Sequence, residues 1–293
     1  MAEPVASHAC GGGTILAKRY LVAEELGRGA EGVVYLARDL RLGGRRVAVK
    51  TLHPDLPCRG KAIAYLAAEA DVLCRINHPN IPTVLDHGPC ERGYFIAFPL
   101  IKGRTLEQSI PSGGWTDLPR AVRLTARLAR VLFFLWSEHG VLHLDVKPAN
   151  ILLPDGDPEA ISLTDFGLAV IRRAGRCLIP HKGIVGTPAY MSPERARGDH
   201  SRVGHSADVY AVGVLLYRLS TGKLPFPAGY PQVFHDIQHE PAPPPSHSRP
   251  RIDAGLDEIV ARSLAKSPTN RFGSGLELAQ ELEKWIDGEQ RGR

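Results

Sequence analysis

The sequence has few cysteines and no long apolar run, and each shortage excludes a class of protein. Its five cysteines are an odd number without a Cys-x-x-Cys pair, which argues against a zinc knuckle or a redox dithiol and favours reduced thiols. The longest apolar run, Val209 to Tyr217, is far below the ~18 residues of a membrane span. The first residues lack the basic start and apolar core of a signal peptide. We therefore expect a cytoplasmic protein without a membrane span.

A strong excess of charge of one sign is also absent. Lys and Arg number 36 against 31 Asp and Glu, a net charge of +5. The basic residues are scattered, so the sequence does not indicate a nucleic-acid partner. Hydrophobic residues make up 43% and charged residues 23% of the 293 residues, which is close to the globular average and predicts a folded chain. At about 150 residues per domain, this length predicts two domains or one large domain with two lobes.

The spacing of apolar residues divides the chain into a sheet-rich part and a helical part. After a flexible leader, residues 1–19, the pattern predicts strands interrupted by one helix: Tyr20–Leu26, Val33–Arg38, Val47–Leu52, the helix Ala62–Ile76, and Phe95–Phe98. Later segments have helical spacing, apart from the loop Glu240–Pro250: Leu118–Glu138, Val209–Leu219, Leu256–Ala265 and Leu276–Trp285. We expect an α+β fold with a small lobe (20–98), a hinge (99–103), a larger helical lobe (104–287) and a short tail (288–293).

The first chemical motif is a Gly-x-Gly-x-x-Gly run at Gly27, Gly29 and Gly32, which also occurs in dinucleotide-binding folds. A dinucleotide site needs a helix after the third glycine, whereas Val33 and Val34 are β-branched and predict a strand. The run therefore predicts a turn between two strands, whose backbone can approach a polyphosphate closely. A plain glycine-rich hairpin without a ligand stays the alternative.

Lys50 and Glu69 form a second candidate pair. Glu69 lies between Leu66 and Leu73 on the apolar face of the predicted helix. A carboxylate there is costly unless a cation meets it, and Lys50 is the candidate cation. Such a pair would present an ammonium group to nucleotide phosphates. In the alternative, Glu69 extends to the lobe edge and Lys50 is an ordinary surface charge.

A third cluster of polar residues ends at Asn150 and includes Asp145 and Lys147. Pro148 keeps this segment out of a helix, so the three side chains share one loop. Asp165 follows the next predicted strand. Carboxylate and amide oxygens at this density suit Mg²⁺, a hard ion that shares its ligand shell with phosphates.

In this order the motifs resemble those of the eukaryotic-type (Hanks-type) serine/threonine protein kinases, with a likeness to the bacterial members. The resemblance extends from Tyr20 to Trp285 and includes the run GTPAYMSPE from Gly186 to Glu194. It implies the two-lobed protein kinase fold, in which the small lobe is a mainly antiparallel sheet. It also implies ATP and Mg²⁺, or Mn²⁺, as cofactors and serine or threonine hydroxyls of proteins as acceptors.

The resemblance implies catalytic roles for residues of the catalytic loop (residues 143–150) and beyond. Asp145 would orient the substrate hydroxyl and accept its proton, and Lys147 would neutralise the γ-phosphate. Thr187 would hydrogen-bond both residues and shape the substrate pocket. Asn150 and Asp165 would bind Mg²⁺.

For ATP, the resemblance implies that Lys50 holds the α- and β-phosphates and pairs with Glu69. Phe98 matches the gatekeeper position, and the carbonyl of Pro99 and the N–H of Ile101 would recognise adenine in the hinge. The remaining residues implied to bind ATP cover its phosphates or sandwich its adenine: Leu26, Gly27, Gly29, Gly32, Val34, Ala48 and Leu152.

Three further matches imply structural support. Glu194 is expected to pair with Arg271, and Asp208 is expected to brace the backbone of the catalytic loop. For Asp208 a helix N-cap is the alternative.

One departure from the family concerns regulation. The usual arginine before the catalytic Asp, which binds a phosphate on the activation loop, is Leu144 here. The activation loop itself, between Gly167 and Gly186, contains no Ser, Thr or Tyr. We therefore predict activity that does not require phosphorylation of this loop.

Two other functions are weighed against the kinase. A pseudokinase acting as a scaffold commonly lacks the strand lysine or one of the two aspartates, yet Lys50, Asp145 and Asp165 are all present. A small-molecule phosphotransferase would lack the segment ending at Glu194 and its partner Arg271. Because no sensor domain follows in this sequence, we expect regulation by a protein partner or through the amount of the kinase.

Overall fold

The computed structural model describes residues 13–29, 32–53, 59–173, 176–177 and 186–291. These residues form two compact units. The first contains the residues up to His78 together with Pro82–Ile101, and the second contains Pro79–Ile81 together with the residues from Lys102 onward. The division after Ile101 lies inside the segment that the sequence predicts as a hinge. Most of the predicted leader, residues 1–12, and the last two residues lie outside the described residues.

The first unit is a six-stranded antiparallel sheet with one helix. Its elements are β1 (Ile15–Leu16), β2 (Tyr20–Arg28), β3 (Gly32–Asp39), β4 (Arg45–Leu52), α1 (Arg59–Leu73), β5 (Asp86–Cys90) and β6 (Gly93–Pro99). The strands pair in the order β1-β2-β3-β4-β6-β5. Alternate residues of the central strands pack into one apolar cluster, which covers one face of the sheet.

Three details of this unit differ from the expectations. Strand β1 lies within the segment expected to be a flexible leader, because Leu16 is 1% exposed and joins the apolar cluster of the sheet. Helix α1 begins three residues earlier than expected and ends at Leu73, although Ile76 beyond it is also buried. Strand β5 was not predicted, because only its pairing with β6 makes this segment extended.

The second unit is mainly helical. Its helices are α2 (Leu118–His139), α3 (Pro193–Ala196), α4 (His205–Thr221), α5 (Gln232–His239), α6 (Pro245–Ser248), α7 (Ala254–Ser263) and α8 (Gly275–Arg291), with short 3₁₀ turns at Glu107–Ser109, Pro148–Asn150, Pro188–Tyr190 and Pro268–Asn270. Its strands are β7 (Gly103–Thr105), β8 (Val141–Leu142), β9 (Ile151–Pro154), β10 (Ser162–Leu163), β11 (Val170–Arg173) and β12 (Arg176–Cys177). They form two small sheets, β10-β9-β7 and β12-β11-β8.

Helix α4 is buried almost all round, as its apolar run predicts, and packs against α2, α7 and α8. Helix α2 begins after Asp117, whose side chain accepts a hydrogen bond from the Arg120 N–H and caps the helix. Helix α8 continues to Arg291 into the predicted tail, and α6 lies inside the predicted loop. None of the helices in the described part of the chain is both long and apolar enough to span a membrane.

The architecture confirms the predicted fold class. A small antiparallel sheet with one helix forms the first unit, and a larger, mainly helical unit follows it.

Candidate active site

Lys50 lies on β4, on the face of the sheet opposite the apolar cluster around Val49. Residues opposed across antiparallel strands share a face. The register places Val34 opposite Lys50 and Phe98 opposite Ala48. Val34, Ala48 and Phe98 are half-buried, so three of the residues implied to bind ATP share one face of the sheet with Lys50.

Lys50 and Glu69 form a two-pronged ion pair. The Lys50 Nζ donates to both carboxylate oxygens of Glu69, at 2.7 and 2.8 Å. Helix α1 packs on this face of the sheet through Leu66 and Ala70, so the Glu69 side chain is 3% exposed. The structure therefore shows the paired arrangement rather than a Glu69 that extends to the lobe edge. The pair therefore holds the Lys50 ammonium group on the face of the sheet that α1 covers.

The glycine-rich run is a turn between β2 and β3, as the sequence predicts, and no helix follows it. The Gly29 N–H donates to the Gly32 carbonyl at 2.8 Å. A Cβ at Gly32 would lie 2.6 Å from the Thr51 carbonyl oxygen, so the chains approach too closely for a side chain. A Cβ at Gly27 would meet no atom of the described residues within 4 Å, so these residues leave space for a ligand beside this backbone. Residues 30–31 at the tip lie outside the described residues.

The catalytic loop joins its polar side chains in one hydrogen-bond network. The Lys147 Nζ donates to Asp145 Oδ2 at 2.7 Å and to Thr187 Oγ1 at 3.0 Å. The Asn150 Nδ2 donates to the carbonyl oxygen and to Oδ2 of Asp145, at 2.8 and 2.9 Å. Thr187 thus reaches Asp145 through Lys147 rather than by the direct bond that the resemblance implied. Because Oδ2 accepts both side-chain bonds, Oδ1 is the oxygen suited to accept a proton.

Thr164, the residue before Asp165, is hydrogen-bonded to Asn150. The N–H and the hydroxyl of Thr164 both donate to the Asn150 carbonyl oxygen, at 2.9 and 3.0 Å. Asp165 itself is exposed and has a left-handed backbone, with φ of 62°. Such a conformation is uncommon for a residue with a side chain and occurs often at functional sites.

The donor set formed by Asn150 and Asp165 fits a hard divalent cation. Both Nδ2 bonds of Asn150 go to Asp145, so its amide oxygen is the atom suited to bind a metal. Among the described residues no group of three or more His, Cys, Asp or Glu side chains could hold a metal ion. The amide oxygen of Asn150 and the carboxylate of Asp165 are hard oxygen donors, which Mg²⁺ prefers.

Asp208 braces the catalytic loop from helix α4. Its two carboxylate oxygens accept the N–H groups of His143 and Leu144, at 3.0 and 2.9 Å. Asp208 lies inside the helix and Gly204 occupies the N-cap position, so the N-cap alternative is wrong. Burial raises the pKa of Asp208, whereas the nearby His143 and the two donated N–H groups lower it.

Leu144, where the family usually has arginine, is an apolar core residue. Its side chain is 4% exposed and packs with Leu142, Val170 and Val203. This position therefore contributes to the core and presents no cation to an activation-loop phosphate.

Glu194 and Arg271 form a fully buried ion pair, as expected. Two guanidinium nitrogens of Arg271 donate to the two carboxylate oxygens of Glu194, at 2.8 and 2.7 Å. Both side chains are 0% exposed. Arg271 also donates to the carbonyl oxygens of Ser206, Ala265 and Lys266, which satisfies its three remaining N–H donors.

The comparison with known families agrees with this geometry. A model of the protein kinase domain matches residues 20–284, which is most of the chain. The chain belongs to the protein kinase family.

Curated kinases from bacteria are similar to this chain over most of its length. Serine/threonine-protein kinase pkn3 of Myxococcus xanthus is 37% identical over 291 residues, 95% of this chain and 52% of that protein. Serine/threonine-protein kinase PknB of Mycobacterium tuberculosis is 35% identical over 281 residues, 94% of this chain and 44% of that protein. The chain thus spans about half the length of the curated relatives it matches.

The four remaining residues that the resemblance implies to bind ATP lie on strands β2, β6 and β9 and at the end of the first unit. Leu26 is exposed on β2, and Pro99 ends β6 opposite Val47. Ile101 is the last residue of the first unit. Leu152 lies on β9 of the second unit, between Thr105 and Ser162.

Two positioning residues of this kinase domain were not singled out from the sequence. His143 is fully buried; its Nδ1 accepts the Asp145 N–H at 3.3 Å, so its Nε2 donates to the Thr164 carbonyl at 3.2 Å. Asn80 bonds the backbone of residues 161 and 163, just before Asp165. His143 is the first residue of the catalytic loop (residues 143–150), and this position is a signal that could have revealed it. Asn80 has no such signal.

Proposed function

We propose that this protein is an active serine/threonine kinase that transfers the γ-phosphate of ATP to protein hydroxyls with Mg²⁺ as cofactor. The observation that carries the proposal is the network in which Asp145, Lys147, Asn150 and Thr187 are joined by hydrogen bonds. Phosphoryl transfer requires mainly positioning and neutralisation of charge, and this network places a proton acceptor and a cation side by side.

Within the proposed reaction, Asp145 orients the acceptor hydroxyl and takes its proton at Oδ1. Lys147 keeps its ammonium 2.7 Å from Oδ2 of this carboxylate, where it can also neutralise the transferred phosphoryl group. Thr187, bonded to Lys147, forms part of the acceptor side of the site. The acceptor is an aliphatic hydroxyl because a lysine two residues after the aspartate is typical of Ser/Thr members of the family.

Within the first unit, binding of ATP is assigned to the following residues. Lys50, fixed by Glu69, holds the α- and β-phosphates, and the glycine-rich run covers the phosphates with backbone N–H groups. Val34, Ala48 and Phe98 share the face of Lys50 and contact the adenine. Pro99 offers a carbonyl and Ile101 an N–H to the adenine edge.

Asn150 and Asp165 are the residues that would hold Mg²⁺, since their oxygens are hard donors and their backbones are tied together through Thr164. When bound, Mg²⁺ neutralises phosphate charge. Residues 20–287 are proposed as the kinase domain, cytoplasmic and with protein substrates, and a regulatory protein partner is proposed to supply the signal.

Activity is proposed to be independent of activation-loop phosphorylation. Two facts support this: the sequence between Gly167 and Gly186 has no Ser, Thr or Tyr, and the Leu144 side chain is buried in an apolar cluster. A phosphate on this loop would find no cation at position 144.

The function is tested with purified protein, radiolabelled ATP and a mixture of generic protein substrates, followed by phosphoamino acid analysis. We expect label on serine and threonine, its loss when a chelator removes divalent cations, and its return with Mg²⁺ or Mn²⁺. A scaffold would transfer no label, and a small-molecule phosphotransferase would leave the proteins unlabelled. Label on tyrosine alone would contradict the proposed acceptor.

Independence of loop phosphorylation is tested by treatment with a protein phosphatase before the assay. The expected change in rate is at most about twofold. A loss of about tenfold or more that autophosphorylation restores would contradict this part of the proposal.

A further inference from the structure

Arg195 contacts the catalytic loop directly. It lies on α3, immediately after Glu194, and its Nη1 donates to the carbonyl oxygen of Leu144. Leu144 is the residue before Asp145, so this hydrogen bond acts on the peptide group that carries the proposed proton acceptor. A guanidinium donor to a carbonyl is among the stronger hydrogen bonds of a protein.

With this contact, both the N–H and the carbonyl oxygen of Leu144 are hydrogen-bonded to charged side chains. Its N–H donates to Asp208 Oδ1 at 2.9 Å, and its carbonyl accepts from Arg195. Leu144 also has a left-handed backbone, with φ of 60°. A non-glycine residue keeps this conformation only where its surroundings enforce it. Two charged groups of opposite sign therefore enforce the turn that leads into Asp145.

Three carboxylates lie near enough to Arg195 to interact with its charge. Burial lowers the pKa of Arg195, whereas the nearby carboxylates of Asp208, Asp145 and Glu194 raise it. A guanidinium stays protonated in such surroundings because its ordinary pKa is far above neutrality. Arg195 thus contributes positive charge beside Asp145 as well as a hydrogen bond.

The end of the activation loop lies at the same place. Gly186 has φ of 119°, and a Cβ there would lie 3.4 Å from Arg195 Nη2 and 3.7 Å from Asp145 Oδ1. A residue with a side chain would have a strained backbone at this position, and its Cβ would be in van der Waals contact with both groups. The loop end, Arg195 and Asp145 thus share one small volume of the second unit.

We propose that Arg195 is a positioning residue for Asp145. From α3 it supplies a cationic link between the end of the activation loop and the catalytic loop. Relatives with arginine at position 144 obtain this link through a phosphate. The inference rests on the proposed function, since it names a residue that positions the proton acceptor of that site. It accounts for a catalytic loop held in position while Leu144 is apolar and the activation loop lacks hydroxyls.

The test compares Arg195→Met, which removes the donor, with Arg195→Lys, which keeps a charged donor. Arg197→Met is the matched control, because Arg197 is two residues further along, at the end of α3, and is exposed. We measure kcat and KM for ATP, and hydrogen exchange of the amides of residues 143–147 by mass spectrometry.

For Arg195→Met we expect kcat to fall about 10- to 100-fold, because a displacement of about 1 Å at a reacting group has this effect. The KM for ATP stays within about twofold, since ground-state binding is unchanged. Exchange of the loop amides becomes about tenfold faster. Arg195→Lys recovers most of both losses, and Arg197→Met matches the wild type.

The inference is overturned if Arg195→Met equals Arg197→Met in kcat and in loop exchange. It is also overturned if Arg195→Lys is as impaired as Arg195→Met and both lose nucleotide binding, which is the result of a general structural role. Failure of the proposed function is a separate result: the wild type then transfers no phosphate. The loop-exchange comparison still tests the contact of Arg195 in that case, because it needs no activity.

Discussion

Two ion pairs of similar geometry differ in their surroundings. In the first unit Lys50 binds both oxygens of Glu69, with side chains 16% and 3% exposed. In the second unit Arg271 binds both oxygens of Glu194, and neither side chain is exposed. Arg271 also donates to carbonyl oxygens of its own unit, whereas part of the Lys50 side chain remains exposed to solvent.

The difference separates a structural pair from one suited to a ligand. A fully buried pair depends on its partners for all its solvation, so its removal affects mainly stability. A partly exposed pair has lost less solvation and can still approach a phosphate, so its removal affects mainly activity. The following predictions test this contrast, beginning with the largest effect on stability.

Arg271→Met should cause the largest loss of stability. It leaves the Glu194 carboxylate buried without its cation, and we expect a loss of about 3–5 kcal/mol in the free energy of unfolding. Urea denaturation measures this loss. A loss below about 1 kcal/mol, which is typical of surface ion pairs, would contradict the expected difference between the fully buried pair and the partly exposed pair.

Lys50→Met should cost less stability and more activity. We expect a loss of about 1–3 kcal/mol in the free energy of unfolding, because the Glu69 carboxylate loses the hydrogen bonds that Lys50 donates to it. Phosphate transfer should fall about 100-fold or more, because a preorganised charge at the phosphates is removed. Lys61→Met, at an exposed position of α1, is the control. Phosphate transfer at the wild-type rate in Lys50→Met would show that Lys50 has no role in the reaction.

Unlike Lys50, Lys266 donates its hydrogen bonds to carbonyl oxygens, and we expect it to make the free energy of unfolding depend on pH. Lys266 Nζ donates to the carbonyls of Asp236 and Ile237, at 3.1 and 2.6 Å, and burial lowers the pKa of Lys266 to about 8. The unfolded chain, with an ordinary pKa of 10.5, binds more protons between these values. This group therefore makes the free energy of unfolding rise from about pH 8 to about pH 10.5.

The measurement is the difference in unfolding free energy between the wild type and Lys266→Met across that pH range. We expect the wild type to gain stability relative to the variant as the pH increases. A relative loss of stability over the same range would contradict the assigned direction of the shift.

Arg130→Met should have the smallest effect. Arg130 binds both oxygens of Glu283, at 2.8 and 2.6 Å, but the side chains are 46% and 42% exposed. We expect a loss of at most about 1 kcal/mol, decreasing further at high salt. A loss as large as that of Arg271→Met would show that burial does not distinguish these pairs.

The sequence was sufficient for the contacts that elementary electrostatics requires. Glu69 stands on an apolar helix face, so a cation had to meet it, and the strand lysine does so. The glycine-rich turn followed from the β-branched residues after Gly32, and the buried helix α4 followed from its apolar run. The pairing of Glu194 with Arg271 came from the family resemblance, because a separation of 77 residues has no local signal.

Other features depend on tertiary contacts that no local pattern contains. Strand β5 has no β-branched residue and is extended only because it pairs with β6. The indirect link between Thr187 and Asp145 depends on the exact reach of Lys147. Arg195 and His143 acquire their roles only when the loop that contains Asp145 folds against α3 and Thr164.

The central claim is that Asp145 accepts the proton of a protein hydroxyl while ATP is bound elsewhere in the site. Asp145→Asn tests it most directly, with Asp155→Asn at an exposed turn as the matched control. The account predicts a fall in phosphate transfer of about 10²- to 10⁴-fold in Asp145→Asn and unchanged affinity for ATP in both variants. Transfer by Asp145→Asn at the rate of the control would contradict it.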